Sequence, residues 1–131
     1  MRAIDTNLIV RFLTADEPAQ ARAARSVIEG GDVFIGTTVA LETEWVLRAG
    51  YQFSSPEIAA ALRGLGGLPG VTLEAPAELA QALDWMGEGM DFADALHLAR
   101  ARHCSAFVTF DRRLARDANA LGVMPIVVPE T

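Results

Sequence analysis

The chain contains no lysine: all 11 of its basic residues are arginine. A P-loop nucleotide site places a lysine on the phosphates, so that class is excluded. Cys104 is the only cysteine, which rules out an internal disulfide and a zinc site built from thiolates. No uninterrupted apolar run approaches the roughly 18 residues that a membrane helix needs. The opening residues Met1-Arg2-Ala3-Ile4-Asp5 put a carboxylate where a secretion signal would have an apolar segment. These absences point to a soluble, cytoplasmic protein with no membrane association.

What is present is an acidic, apolar chain of 131 residues, expected to form one domain over 1–131. Net charge is −6 and the pI is about 4.8, which by itself argues against a nucleic-acid binder. Hydrophobic residues make up 51% and mean hydropathy is +0.24, high for a small soluble monomer. That excess suggests apolar surface reserved for a partner, including a second copy of the chain.

Short β-branched runs alternate with longer helical ones. Ala3-Ile4 reads as a strand ending at Asp5, with helix from Leu8 to Leu13. A second helix follows Asp16-Glu17-Pro18 and runs to Ile28, proline being tolerated in a first turn. Gly30-Gly31 stops it. Val33-Phe34-Ile35 is a strand, and Thr37-Thr38 is expected to cap a helix reaching Arg48. Ser55-Pro56 opens a helix that ends in the glycine-rich stretch from Gly64 to Gly70. Val71-Thr72-Leu73 is a strand, Pro76 to Met86 a helix, and Asp91 opens another helix to His103. Ala106 to Thr109 is a strand, Arg112 to Leu121 a helix, and Val123 to Val128 a closing strand. This alternation predicts an α/β fold of three layers (α/β/α) around a central parallel sheet of four to five strands.

Parallel sheets gather ligands at the carboxyl ends of their strands. Asp5 and Asp111 stand there, each also before a helix, where an aspartate ordinarily serves as an N-cap. Asn7 offers a competing cap for the first helix. Glu42 has Val39, Trp45 and Val46 at i−3, i+3 and i+4, which places it beside an apolar stripe expected to face inward. A buried carboxylate needs a partner, and without lysine that partner is an arginine or a metal ion. Glu44 has Arg48 at i+4 and reads as half of a surface ion pair. Asp91 and Asp94 open one helix three residues apart, an arrangement that suits a cap and the helix dipole as well as a site. His97 reads as a core histidine and His103 as a surface one. Asp5, Glu42, Asp94 and Asp111 thus form a candidate set of oxygen ligands, a chemistry that suits Mg²⁺ or Mn²⁺ rather than zinc. Clustered carboxylates repel, so the set makes sense with a divalent cation.

The strings Ile4-Asp5-Thr6-Asn7, Val39 to Arg48, Asp91-Phe92-Ala93-Asp94-Ala95-Leu96-His97 and Val108-Thr109-Phe110-Asp111 resemble, in order, the four motifs of PIN domains. The similarity runs from about residue 3 to 128, and the spacing resembles the VapC branch, the toxins of type II toxin–antitoxin systems. The resemblance implies that Asp5, Glu42, Asp94 and Asp111 are the metal-site acids, with Asp91 a less regular additional position. Thr6, Asn7 and Thr109 match polar positions that support the site. It further implies a metal-dependent endoribonuclease that hydrolyses RNA with activated water, leaving 5′-phosphate and 3′-hydroxyl ends. A homodimer and a small inhibitory antitoxin protein are the implied partners. Arg100, Arg102, Arg112, Arg113 and Arg116 are candidates for phosphate contacts, or otherwise a solvated face.

Other readings are weaker. A haloacid-dehalogenase-type phosphatase resembles a pattern with a second aspartate where Asn7 stands, and it needs a lysine, as does a phosphoacceptor receiver domain. Gly64-Leu65-Gly66-Gly67-Leu68-Pro69 fails the dinucleotide fingerprint, because proline holds the third glycine position. Two alternatives stay open: a PIN nuclease of RNA maturation without an antitoxin, and a non-catalytic acidic domain that binds a protein.

Overall fold

Three of the predicted elements lie where the residue pattern puts them: strands at Val33–Ile35 and Val71–Leu73, and a helix at Arg112–Leu121. The computed structural model describes all of residues 1–131 and resolves into two units, Met1–Pro76 and Ala77–Thr131. No helix in either is long and apolar enough to cross a membrane.

The N-terminal unit runs β1 (Arg2–Ala3), α1 (Thr6–Thr14), α2 (Pro18–Glu29), β2 (Val33–Ile35), α3 (Thr37–Tyr51), α4 (Ser55–Gly66) and β3 (Val71–Leu73). Its strands form a parallel sheet in the order β1-β2-β3, with Arg2 opposite Val33 and Val33 opposite Val71. Helix α1 packs against both α2 and α3, and α3 against α4. The core consists of Ile9, Ile28, Val33, Ile35, Leu47 and Ile58, all at 2% exposure or less. Each contributes roughly 1.5–3 kcal/mol through burial.

Where these elements begin is set by their caps. Pro18 occupies the first turn of α2, as expected. Helix α4 starts in a reciprocal capping box, in which Ser54 and Glu57 each accept from the other's backbone N–H. Helix α1 starts at Thr6, two residues before the expected Leu8, because Asp5 and not Asn7 is its N-cap. The Thr37-Thr38 cap expected for α3 is not made. Gly36 is the N-cap residue and supplies no side-chain bond. The Glu74 carboxylate, just past β3, accepts from the Thr37 N–H at 2.8 Å instead. An acid immediately after a strand is the same pattern that drew attention to Asp5.

The C-terminal unit holds α5 (Pro76–Gly87), α6 (Phe92–Arg100), β4 (Phe107–Val108), α7 (Arg112–Leu121) and β5 (Ile126–Val127). Its first helix begins on the last residue of the N-terminal unit. Strands β4 and β5 pair in parallel, Phe107 opposite Ile126 and Val108 opposite Val127. The core of this unit is built around Phe92, Leu98, Ala82, Ala95 and Ala118. Helix α6 stops at Arg100 rather than His103, and β4 and β5 are each two residues long.

Every strand pairing is parallel, as α/β alternation requires, and the ladders form a sheet of three and a pair; a single sheet of four to five is not confirmed. Strands of two or three residues make few ladder bonds, which leaves the extent of a sheet weakly specified by pattern.

Candidate active site

Asp5 stands between β1 and α1, exposed, and its Oδ1 accepts from the Leu8 N–H at 3.0 Å. The next residue, Thr6, is buried at 7% exposure because it begins the inward face Thr6, Ile9, Val10 of α1. Its hydroxyl lies 3.5 Å from the Val39 carbonyl and donates to Glu42 Oε1. Asp5 and Glu42 therefore share one open cavity of about 400 Å³, with Thr6, Asn7, Arg11 and Tyr51 among its walls. Two acids that are 37 positions apart in sequence are joined through a single threonine.

Glu42 reaches this cavity by a route other than burial. It is exposed, and Trp45, which was expected to share its inward stripe, is 58% exposed. The inward face of α3 is Ala40, Thr43, Glu44 and Leu47. Glu44, read from sequence as a surface residue, is the buried carboxylate at 2% exposure. The predicted partner is correct: Arg48 donates from Nε to Glu44 Oε2 at 2.8 Å and from Nη2 to Oε1 at 3.3 Å. The bidentate guanidinium satisfies the buried charge that lysine-free composition assigns to an arginine or a metal.

In the C-terminal unit, Asp91 is the N-cap of α6 and accepts from the Asp94 N–H at 3.1 Å. Asp111 is the N-cap of α7; its Oδ1 accepts from the Arg113 and Leu114 N–H groups, each at 3.0 Å. Its own N–H donates to the Thr109 hydroxyl at 2.9 Å, which gives Thr109 a role in fixing the turn. Asp94 is half-buried between them. Burial first, and then the carboxylates of Asp91 and Asp111, hold its carboxyl above the usual aspartate range, against opposing pulls from His97 and Arg113. His97 itself is exposed rather than packed in the core, as is His103.

All five late arginines are exposed. Arg102 lies 5.8 Å from the centre of the Trp85 ring and donates to Gln81 at 3.4 Å. Arg116 and Arg113 approach Asp117 at 3.3 and 3.9 Å.

The donors fit a hard divalent cation in kind. They are carboxylates backed by hydroxyls, with no thiolate beside them and with both histidines at the surface. Repulsion among Asp91, Asp94 and Asp111 is what a bound cation would relieve. In neither unit do three or more His, Cys, Asp or Glu side chains gather into a group able to hold an ion.

Residue reasoning passed over Arg11, Gln20 and Tyr51. The Arg11 guanidinium donates to Gln20 Oε1 at 2.8 Å, to Asp16 Oδ1 at 3.2 Å and to the Tyr51 hydroxyl at 3.3 Å. Tyr51 donates in turn to Asp16 Oδ2 at 2.6 Å, and this bond is the main reason the Asp16 carboxyl lies below its ordinary value. An arginine one turn after Asn7, in an otherwise apolar helix, was the available signal.

The family model of the PIN domain matches residues 3–119, most of the chain and all four acid-bearing strings. No curated protein and no solved structure matches the chain.

Proposed function

The chain belongs to the PIN-domain family, whose members are generally nucleases that use divalent metal ions, and we propose that it is a Mg²⁺- or Mn²⁺-dependent endoribonuclease, the toxin of a VapC-like toxin–antitoxin pair. The observation that carries this reading is the cavity on which Asp5 and Glu42 meet beside the carboxyl end of β1. The electrostatic pressure on Asp94 supports it from the other unit.

In this reading Asp5, Glu42, Asp94 and Asp111 are the metal ligands, with Asp91 an additional donor. An ion held by these carboxylates would supply positive charge for the phosphate and the leaving oxygen and would make water a stronger acid. The rest is done by the chain. The Thr6 hydroxyl, the Leu8 N–H and the N–H groups of Arg113 and Leu114 each engage one oxygen of Glu42, Asp5 and Asp111 respectively, fixing the carboxylates before substrate arrives. Asn7 lines the same cavity and Thr109 holds the Asp111 turn. Hydrolysis of the P–O3′ bond places the hydroxyl of water on phosphorus and its proton on O3′, leaving 5′-phosphate and 3′-hydroxyl ends. The exposed arginines of the C-terminal unit, Arg100, Arg102, Arg112, Arg113 and Arg116, are proposed to supply contacts to RNA phosphates, which would offset the acidic net charge.

Asp5→Asn tests the assignment, because asparagine keeps the N-cap while removing the charge. The variant should melt like the parent and lose RNA cleavage; cleavage at the parental rate, or in excess EDTA, would falsify the reading. The control of such an enzyme is assigned to a small antitoxin. The exposed Trp45 on α3, together with the segment from Tyr51 to Leu65, is the surface proposed for an amphipathic helix of that protein. Co-expression with the product of an adjacent short reading frame checks this. If that product neither co-purifies nor suppresses cleavage, an RNA-maturation nuclease is the better reading. The active protein is proposed to be a cytoplasmic homodimer, and a monomer mass by light scattering at micromolar concentration counts against that.

A further inference from the structure

The cavity holding Asp5 and Glu42 has a neighbour. A second cavity, of about 230 Å³, is lined by residues of α1 and α2 and shares Asp5, Asn7 and Arg11 with the first. The two differ in character. The first has two carboxylates, the Thr6 hydroxyl and the Tyr51 phenol on its walls. The second has an aliphatic lining of Leu8, Ala23, Ala24 and Val27, edged by Asn7, Arg11 and Gln20.

Arg11 stands on the shared wall. Its side chain is 26% exposed, and Gln20, Asp16 and Tyr51 hold its guanidinium plane through Nε and Nη1, in bonds that do not engage Nη2. A planar group fixed in this way is a pre-oriented recognition surface, with little side-chain entropy left to lose on binding. The occupant's chemistry follows from the mixture. An aliphatic lining disfavours an ion. A phosphate would meet one arginine already paired with Asp16, and the Asp5 carboxylate besides. A neutral, flat group with an apolar face and a hydrogen-bonding edge satisfies both parts, and an unpaired nucleobase is such a group.

We propose that the α1–α2 cavity receives the unpaired nucleobase adjoining the scissile phosphate, and that Asn7, Arg11 and Gln20 read its edge. The proposal rests on the nuclease reading above and adds a specificity-determining subsite to it. The subsite places a sequence preference in the N-terminal unit, next to Asp5.

The test uses the full chain with two variants at exposed positions of α2, Ala23→Phe to fill the cavity and Gln20→Ala to change its edge. The four ribonucleoside 5′-monophosphates are titrated without added metal, and backbone amide shifts of α1 and α2 are followed by NMR. In parallel, RNA of random sequence is cut with metal present and the product ends are sequenced. At least one mononucleotide should shift α1 and α2 amides in the parent and fail to do so in Ala23→Phe. That variant should cut with KM raised about tenfold, about 1.4 kcal/mol of lost binding, and with the larger part of the effect in KM. Gln20→Ala should change which base is preferred at the cut. If the parent cleaves RNA, yet no mononucleotide shifts these amides and Ala23→Phe keeps both KM and base preference, the subsite is overturned and the nuclease reading stands. If the parent cleaves nothing but a mononucleotide still binds in the parent and not in Ala23→Phe, the subsite stands and the nuclease reading falls.

Discussion

In the N-terminal unit each acid near the cavity has a donor of its own: Leu8 N–H for Asp5, the Thr6 hydroxyl for Glu42, Arg48 for Glu44, and Tyr51 with Arg11 for Asp16. In the C-terminal unit Asp94 faces two other carboxylates and partial burial, and its proton affinity rises. The N-terminal acids are paired, whereas the C-terminal unit caps α6 and α7 with Asp91 and Asp111 but holds Asp94 against repulsion. The difference matters because a pairing bond stabilises the fold with or without a cation, whereas repulsion costs stability until a cation arrives.

The largest effects should come from single substitutions on either side of this comparison. Asp5→Asn in one unit and Asp111→Asn in the other both keep their helix caps. Each should lower the RNA-cleavage rate about a hundredfold or more, several kcal/mol of transition-state stabilisation at about 1.4 kcal/mol per tenfold. A variant of one unit that cleaves normally, while that of the other is dead, would confine the chemistry to a single acid pair.

Breaking a pair in the N-terminal unit should cost stability outright. Arg48→Ala leaves the buried Glu44 carboxylate without its bidentate partner. Since Arg48 itself is 45% exposed and water reaches its position, the expected loss is about 1–3 kcal/mol, below the cost of breaking a fully buried pair. A shift in the urea midpoint at constant slope measures it. The exposed Glu42→Gln keeps an acceptor for Thr6 and should leave the metal-free midpoint nearly unchanged, while shrinking the rise in melting temperature on adding Mg²⁺ or Mn²⁺. An unshrunken rise removes Glu42 from the ligand set.

The C-terminal unit should respond in the opposite sense. A carboxyl whose folded pKa is raised penalises the folded state above that pKa, and the penalty fades as pH falls toward the unfolded value. Asp94→Asn should therefore stabilise the metal-free protein at neutral pH and give no advantage at acidic pH. A destabilised Asp94→Asn at neutral pH would mean that Asp94 is paired like the acids of the other unit. The smallest effect is expected at Asp16, whose lowered pKa adds stability above the unfolded pKa that is lost as pH falls through the folded one. Tyr51→Phe should flatten that acid limb slightly, as read by melts across pH.

The legible part of this molecule was whatever a short local pattern decides. Runs such as Val33-Phe34-Ile35 between glycine-rich turns have one plausible state, and Pro18 marks a helix start wherever the fold takes it. Which face of α3 turns inward was not legible, because Val39, Ala40, Leu41, Trp45, Val46 and Leu47 nearly encircle the helix and permit two inward faces. Packing selects the one with Ala40 and Thr43, whose small side chains allow close approach. Burial was thus assigned to Glu42 when Glu44 has it. For the candidate site, residue types and order pointed to Asp5, Glu42, Asp94 and Asp111, and the structure adds what no spacing reveals: the Thr6 bridge, the Arg11 network and the crowding around Asp94. The cap of α1 stays open in the sequence because Asn7 is as good a capping residue as Asp5, and only the backbone decides between them.

The cap on α3 bears on the order in which the site forms. The helix that bears Glu42 has no capping side chain of its own at Gly36, and the carboxylate at its first N–H belongs to a residue 37 positions further on. Until β3 has docked beside β2, the first turn of α3 is free to fray, and Thr6 has no fixed carboxylate to meet. The amide protons of Thr37 to Ala40 should then exchange with solvent at rates tied to the opening of β3. A nascent chain released before residue 74 would hold all the motif residues of its first two strings without the means to align them.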